Sequence, residues 1–283
     1  MVDSDFTAAI IGLGQIGGSL GLALRRSGFF RRLVGFDVNA GRLRKARSFL
    51  EPAASAEEAV RWADVVVLAM PLGGILQFLE VTAPRFTGKL YTDVGSVKSP
   101  VVKAAGRHPG IRLVPGHPLA GNERPGDAGW DADLFAGKPY FLLNPLGGAE
   151  ADLELVAAMV RSVGGVPQVV SAEEHDRRLA LTSHLPLALA VLLMSLLDGS
   201  DLPEVRRFVG PGFRSGARLA GGSPEMGTDI LLHNRGNLLP LLKEFRTALR
   251  ELVAALESGD AAAVRELLQS SQRRYWELFG EEP

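Results

Sequence analysis

The order of apolar and polar positions divides this chain into two parts with different periods. Up to about residue 172, short apolar runs alternate with stretches of helical spacing. Residues 7–11 form such a run, 19–26 carry helical spacing behind it, and a second apolar run ends at Gly35-Phe36-Asp37. Residues 65–69, 90–93, 111–115, 140–143 and 166–170 read as further strands, with helices over 75–81, 97–105 and 149–163. These strand runs are apolar throughout, as expected where helices cover both faces of a sheet. Such alternation predicts a doubly wound, mostly parallel α/β sheet.

Beyond residue 172 no strand pattern survives. Residues 172–197 read as one long helix interrupted by Pro186, and helical spacing continues over 202–209, 226–234, 238–257 and 261–278. The expected organisation is an α/β domain over 1–172 and an all-helical domain over 173–283. From Leu185 onward the long helix is apolar on nearly all sides, and a helix of that kind must be covered. Its cover is either the core of a monomer or a second subunit, and the pattern alone does not choose.

Bulk composition narrows the possible functions. A length of 283 residues favours two domains, and 46% hydrophobic residues supports sizeable cores. A net charge of −1 gives no electrostatic reason to expect nucleic acid or an anionic membrane as partner. With no cysteine, neither disulfides nor thiolate metal sites can form. The five histidines lack HxH or HExxH spacing, so no metal is expected. The N-terminus has no basic stretch followed by an apolar one, so no secretory signal is expected. The longest apolar run, 185–197, has thirteen residues and is too short to span a bilayer. A soluble cytoplasmic protein is the expectation.

The candidate chemistry begins at the first turn. After the first strand comes Gly12-Leu13-Gly14-Gln15-Ile16-Gly17, and Asp37 stands twenty positions after the last of these glycines. Strand, G-x-G-x-x-G, helix, strand and acid in this order are the dinucleotide-binding fingerprint of a Rossmann domain. Gly12 permits the tight turn, Gly14 the approach of a pyrophosphate, and Gly17 the packing of helix on strand. The pyrophosphate would rest on the helix N-terminus formed by Gln15, Ile16 and Gly17. Asp37 can accept both ribose hydroxyls and would repel a 2′-phosphate, which favours NAD over NADP, with Arg42 and Arg44 as nearby cations.

Ligands of an open parallel sheet bind beyond the carboxyl ends of its strands. One cluster there is Asp93-Val94-Gly95-Ser96-Val97-Lys98-Ser99, in which Ser96 reads on physical grounds as a helix N-cap. A second is Pro115-Gly116-His117-Pro118-Leu119-Ala120-Gly121-Asn122-Glu123, which places His117 in a constrained loop after a strand. A histidine so placed can take the hydroxyl proton that a dehydrogenase must remove. In the helical part, His184 lies beside the irregularity imposed by Pro186. Arg214 and Arg218, four apart, would share a helical face. Arginine suits carboxylates because its fork makes two parallel hydrogen bonds, although a solvated surface charge is its usual fate.

Taken together, GLGQIGGSL, the strand ending in Asp37, DVGSVK, GHPLAGNERPG, HDRRLALTSHLP, GFRSGARLA and SPEMGTDILLHN resemble the prephenate and arogenate dehydrogenase family. The family oxidatively decarboxylates a cyclohexadienol in tyrosine biosynthesis. The resemblance covers nearly the whole chain and implies a Rossmann domain joined to an all-helical domain that mediates homodimerisation. It implies that His117 is the catalytic base and that Ser96 hydrogen-bonds and orients the substrate hydroxyl. It implies further that His184 lines the substrate pocket, Arg218 binds a substrate carboxylate and Glu123 sits at the pocket edge. Leu187 stands where some members carry a second histidine, and no acid precedes Arg218 in Arg214-Ser215-Gly216-Ala217. SPEMGTD is similar to the form in members that accept arogenate, while Asp37 is similar to NAD-dependent members, so pyruvyl and alanyl side chains both remain open. A C-terminal regulatory domain is not expected. A non-catalytic NAD sensor would need the three glycines but not Ser96, His117, His184 and Arg218.

Overall fold

The structure is a computed structural model that describes residues 4–122, 124–144 and 146–280. Its first part alternates strands and helices. In chain order these are β1 (Ser4–Ile11), α1 (Gln15–Ser27), β2 (Phe30–Phe36), α2 (Ala40–Ala46), β3 (Glu51–Pro52), α3 (Ala56–Trp62), β4 (Val65–Leu68), α4 (Leu72–Gln77), β5 (Leu90–Asp93), α5 (Ser99–Ala105) and β6 (Arg112–Val114). The six strands form one parallel sheet in the order β3-β2-β1-β4-β5-β6, the doubly wound arrangement expected from the pattern. Alternate residues of β1 serve opposite faces. Ala8 and Ile10 join one buried cluster with Leu20 and Leu24 of α1, while Ala9 and Ile11 join another with Val60 of α3 and Ile75 of α4. Both faces are therefore dry, which is why these strands read as unbroken apolar runs.

The remaining strands do not extend this sheet. β7 (Gly116–Pro118), β8 (Pro139–Leu142) and β9 (Val166–Val169) make a second, three-stranded sheet, with β7 antiparallel and β9 parallel to β8. Helix α6 (Glu150–Ser162) precedes β9. The change of sheet occurs at Pro115, which has no N–H to continue the ladder with β5. The chain then turns to pair His117 with Phe141. His117, expected in a loop, thus lies on a short strand and is buried.

Helical elements follow: α7 (Ala172–Leu179), α8 (Leu185–Ser195), α9 (Leu202–Arg206), α10 (Pro211–Ala217), α11 (Pro224–His233), α12 (Arg235–Ser258) and α13 (Ala261–Phe279). Helices α7 and α8 are continuous through a π turn at Ala180–His184, where the Leu185 N–H bonds the Ala180 carbonyl. Pro186 does not break the helix, because this wider turn immediately before it absorbs the missing donor and the ring. By length and composition Ala172–Ser195 could cross a membrane, since the helix adds its N-terminal turns to the thirteen-residue run. Its N-terminal half, however, carries Glu173, Glu174, Arg177 and Arg178, and buries His175 and Asp176. Within one chain the helix is only partly covered: Ala188 and Ala190 are buried, while Val191, Leu192 and Met194 on α8 and Leu181 and Leu196 beside it are exposed.

By compactness the chain divides into Met1–Arg235 and Gly236–Pro283. The reason is visible in hydrogen bonds. Asp176 on α7 accepts from the backbone of Lys98 and Ser99, and Asp229 on α11 accepts from Gly73 at α4. Helices α7–α11 are thus tied to the sheet domain. In the second unit, Asp260 caps α13 by accepting from Ala262 and Ala263, after a turn made by Gly259 at positive φ.

Candidate active site

The glycine loop has the geometry of a dinucleotide cradle. Gly12 has φ +97°, and a Cβ there would lie 2.5 Å from the Ala69 carbonyl oxygen. A Cβ on Gly17 would lie 2.0 Å from the Gly12 carbonyl oxygen, so both positions exclude a side chain. At Gly14 nothing stands within 4 Å. The α1 N-terminus starts beside that open space with no side-chain cap and no acid in its first turn, which suits an anion. Asp37 is seated under the loop, its Oδ2 accepting from Leu13 N at 2.6 Å and its Oδ1 from Asn39 N at 2.7 Å. Each carboxylate oxygen has a second lone pair for a ribose hydroxyl.

Two expected cofactor residues have additional or different work. Ile16 packs against the core. The Gln15 amide is engaged elsewhere: Nε2 donates to Asn122 Oδ1 and Arg124 O at 2.6 Å, and Oε1 accepts from Asn122 N at 3.1 Å. That ties the segment after β7 to the glycine loop and leaves Gln15 its backbone N–H for a phosphate. Gly18, overlooked in the motif, makes room for Trp130, whose Nε1 donates to the carbonyls of Leu13 and Gly14 at 3.2 and 3.0 Å.

Beyond the carboxyl ends of β5 and β6, on the same end of the sheet as the glycine loop, three side chains form a line. His117 Nδ1 is 2.9 Å from His175 Nε2, and His175 Nδ1 is 2.8 Å from Asp176 Oδ1. Asp176 also accepts from the N–H groups of Lys98 and Ser99, both at 2.8 Å. Burial alone would raise its carboxyl, but the hydrogen bonds from His175, Ser99 and Lys98 hold it below the ordinary carboxylate value. An ionised carboxylate only accepts, so His175 carries its proton on Nδ1 and presents the Nε2 lone pair to His117. His117 must then donate from Nδ1, which leaves its Nε2 unprotonated. Burial, followed by the neighbouring His175, Lys98 and His184, pushes His117 well below its ordinary value. It is a neutral base at physiological pH.

The strand bearing His117 is fixed by a buried ion pair. Lys98 and Asp93 have no exposed side-chain surface and are hydrogen-bonded to each other. Lys98 Nζ donates to the Gly116 carbonyl at 2.6 Å, while Asp93 Oδ1 accepts from the Gly116 N–H at 3.2 Å. Asp93 Oδ2 also accepts from Gly95 N at 2.9 Å. The pair therefore holds both backbone groups of the residue before His117 and shapes the turn carrying Ser96. Burial lowers the Lys98 ammonium from its ordinary value, against the pull of Asp93.

His184 closes the π turn and is buried. Asn234 Nδ2 donates to the Asp176 carbonyl at 2.7 Å and lies 2.9 Å from His184 Nδ1. A carbonyl can only accept, so the NH2 side of Asn234 faces His184 and Nδ1 must accept. The proton is then on Nε2, which is buried with no hydrogen-bond partner among the described residues. Burial pushes His184 down to about 4, so this nitrogen remains a neutral donor awaiting an acceptor.

Ser96 is half-buried and is not an N-cap: α5 begins at Ser99 with Lys98 as its cap residue, and Asp176 supplies the acceptor. Arg214 and Arg218 are both exposed, and they do not share one α-helical face, because α10 ends at Ala217 and Arg218 opens a 3-10 turn packed on α8. Glu123 lies outside the described residues. The structure adds Asp93, Lys98, His175, Asp176 and Asn234 to the site. Their sequence signal was slight: polar residues at the head of an otherwise apolar helix, and a strand ending in an acid.

Residues 20–169 match the family model for the prephenate dehydrogenase nucleotide-binding domain, and residues 171–270 match that for its dimerization domain. The cyclohexadienyl dehydrogenase of Zymomonas mobilis is 34% identical, over 77% of this chain and 76% of its own length. The prephenate dehydrogenase of Bacillus subtilis is 33% identical, over 90% of this chain and 71% of its own length. The solved structure of prephenate dehydrogenase from Aquifex aeolicus in complex with hydroxyphenyl propionate and NAD+ superposes with TM-score 0.83 at 29% identity, covering 96% of this chain and 98% of that one. With both family models matched in order and a relative one-third identical over most of its length, the chain belongs to the prephenate dehydrogenase family.

Proposed function

We propose that this protein is an NAD-dependent prephenate dehydrogenase, converting prephenate to 4-hydroxyphenylpyruvate. The observation that carries the reading is the His117–His175–Asp176 line, which leaves an unprotonated His117 Nε2 in a buried site. NAD+, when bound, supplies the acceptor for the hydride that leaves the hydroxyl-bearing ring carbon. His117 takes the hydroxyl proton as the C–H bond breaks, and Ser96 orients that hydroxyl. The ring carboxylate then leaves as CO2, its bonding pair completes the aromatic ring, and the proton on His117 returns to the phenol oxygen. His184 offers its Nε2–H to a substrate oxygen, and Arg218 holds a substrate carboxylate so that the transferred hydrogen faces the cofactor. Residues 1–172 serve the cofactor and residues 173–283 serve substrate binding and dimerisation.

A second reading is favoured by the cyclohexadienyl dehydrogenase relative: arogenate, or both substrates, in place of prephenate alone. Steady-state assay with prephenate and arogenate, each with NAD+ and NADP+, decides. Prephenate with NAD+ is expected to give the highest kcat/KM, and no turnover in any pairing would overturn the reading. Arg218→Ala is expected to raise the substrate KM strongly, because a lost charge pair costs about 2–5 kcal/mol, and to leave the KM for NAD+ nearly unchanged. Arg214→Ala should do far less. Equal and small effects of the two would mean that the carboxylate is held elsewhere.

The exposed apolar side chains of α8 fit a homodimer formed through the helical region, since a soluble monomer seldom leaves so continuous a patch open. Light scattering should give twice the 30.2 kDa chain mass. A monomer at micromolar concentration would contradict this.

A further inference from the structure

The residues around Asp37 show how the chain could refuse a 2′-phosphate by more than one acid. Arg42 and Lys45 lie on α2, directly after the Asp37 turn, where NADP-binding Rossmann domains place the arginine that accommodates the 2′-phosphate. In this chain neither cation is at liberty. Lys45 Nζ is hydrogen-bonded to Asp127 Oδ2, and Arg42 stands between two carboxylates, 3.9 Å from Asp37 Oδ2 and 3.9 Å from Asp127 Oδ1. Among the described residues Arg42 Nε is buried without a hydrogen-bond partner.

Asp127 does not come from the nucleotide strand-helix unit. It sits in the short helical turn Gly126–Gly129, within the segment that follows the His117 strand. That segment is anchored on both sides of Asp127. Gln15 holds Asn122 and Arg124, and Trp130 donates to the carbonyls of Leu13 and Gly14. Gly126 itself has φ +62°, and a Cβ there would press on Arg42 Nη2 at 3.0 Å, so the backbone lies directly on the guanidinium. Asp127 is therefore delivered to this place by the fold, unlike a surface ion pair formed by two wandering side chains.

We propose that Asp127 is a second specificity determinant for the cofactor, neutralising the two cations that would otherwise receive a 2′-phosphate. The proposal rests on the assignment of Asp37 to the adenosine ribose. The Lys45 hydrogen bond, then the neighbouring charges of Lys45 and Arg42, hold the Asp127 carboxyl below its ordinary value, so it is charged at any working pH. Among the described ion pairs, Asp37 and Asp127 then offset Arg42 and Lys45. Removing Asp127 leaves Arg42 and Lys45 in excess over Asp37 alone. Removing Lys45 does the opposite.

The test is calorimetric titration of the purified protein with NAD+ and NADP+, and with 5′-AMP and 2′,5′-ADP, which sample the ribose end alone. Asp127→Asn is expected to tighten NADP+ and 2′,5′-ADP by about tenfold, the effect of one unit charge at a few ångströms in a high-dielectric setting. NAD+ and 5′-AMP should stay within about threefold, and the gain should shrink at high ionic strength. Lys45→Met, an exposed position that folding tolerates, is expected to weaken the 2′-phosphate ligands without moving the others. An unchanged ratio of the two cofactors in either variant, or equal weakening of both in Asp127→Asn, would overturn the proposal. Asp37→Ala separates the two levels of the argument. If it shifts the ratio toward NADP+ while Asp127→Asn does not, only the role of Asp127 fails. If it shifts nothing, the ribose assignment fails and the role of Asp127 with it.

Discussion

His117→Asn is expected to lower kcat by about two to four orders of magnitude, the range for loss of a general base, with NAD+ affinity nearly intact. In the proposed mechanism the base is not His117 alone. Its reactive nitrogen is unprotonated because Asp176 fixes the proton of His175, and His175 in turn fixes that of His117. Asp176→Asn removes the charge that balances the proton taken up during turnover. Whichever way the new amide turns, its NH2 meets N–H groups that the carboxylate had accepted: those of His175 and Lys98 if it replaces Oδ1, that of Ser99 if it replaces Oδ2. A fall of roughly a hundredfold in kcat is expected from this single change, within the range for groups that orient a catalytic histidine. The double variant should be no worse than His117→Asn, since residues acting as one unit are not additive. Strictly additive losses, or near wild-type turnover in His117→Asn, would sink the assignment. The pH profile gives an independent check. Protonated His117 cannot accept, and burial holds it well below its ordinary value, so the acid limb of kcat/KM is expected below that of a free histidine. A limb above neutrality would point to another base.

Lys98→Met should destabilise the fold by about 3–5 kcal/mol, the usual result of leaving one partner of a buried ion pair uncompensated. Asp93 would keep its bonds from Gly95 and Gly116 but lose the one cation paired with it among the described residues, in a place with no access to water. The Gly116 carbonyl would lose a donor as well. Urea unfolding measures the effect. The double change Asp93→Asn with Lys98→Met is expected to recover a large part of the loss, because an amide can still accept from the backbone and carries no charge to desolvate. A Lys98→Met protein as stable as the parent would show that the pair contributes nothing to holding β7. Activity should fall in both variants, since β7 carries His117.

Much of this arrangement was legible in local pattern. Apolar runs at β1, β4 and β5, each followed by a polar turn, specify strands buried on both faces, and the glycines at 12, 14 and 17 have no other reason to fall at those spacings. Those features depend on residues close in the chain, so periodicity and turn chemistry report them directly. Other features involve groups far apart in sequence. Nothing local places Asp176 beside Lys98 and Ser99, seventy-eight and seventy-seven residues earlier, or Asn234 against His184, fifty residues away. Only the packing of α7 on the sheet domain brings an ordinary His-Asp pair at the head of an amphipathic helix into line with His117. The strand containing His117 reads as loop because it has three residues, two of them glycine and proline. It becomes a strand through its partner β8, a decision made by tertiary pairing and not by propensity. The same holds for Asp127, an unremarkable acid in a polar turn until the fold sets it against Arg42 and Lys45. Residue types and spacing determined the parts and their order; which protons sit on which nitrogens, and which charges face one another, was decided by contacts that exist only once the chain has closed.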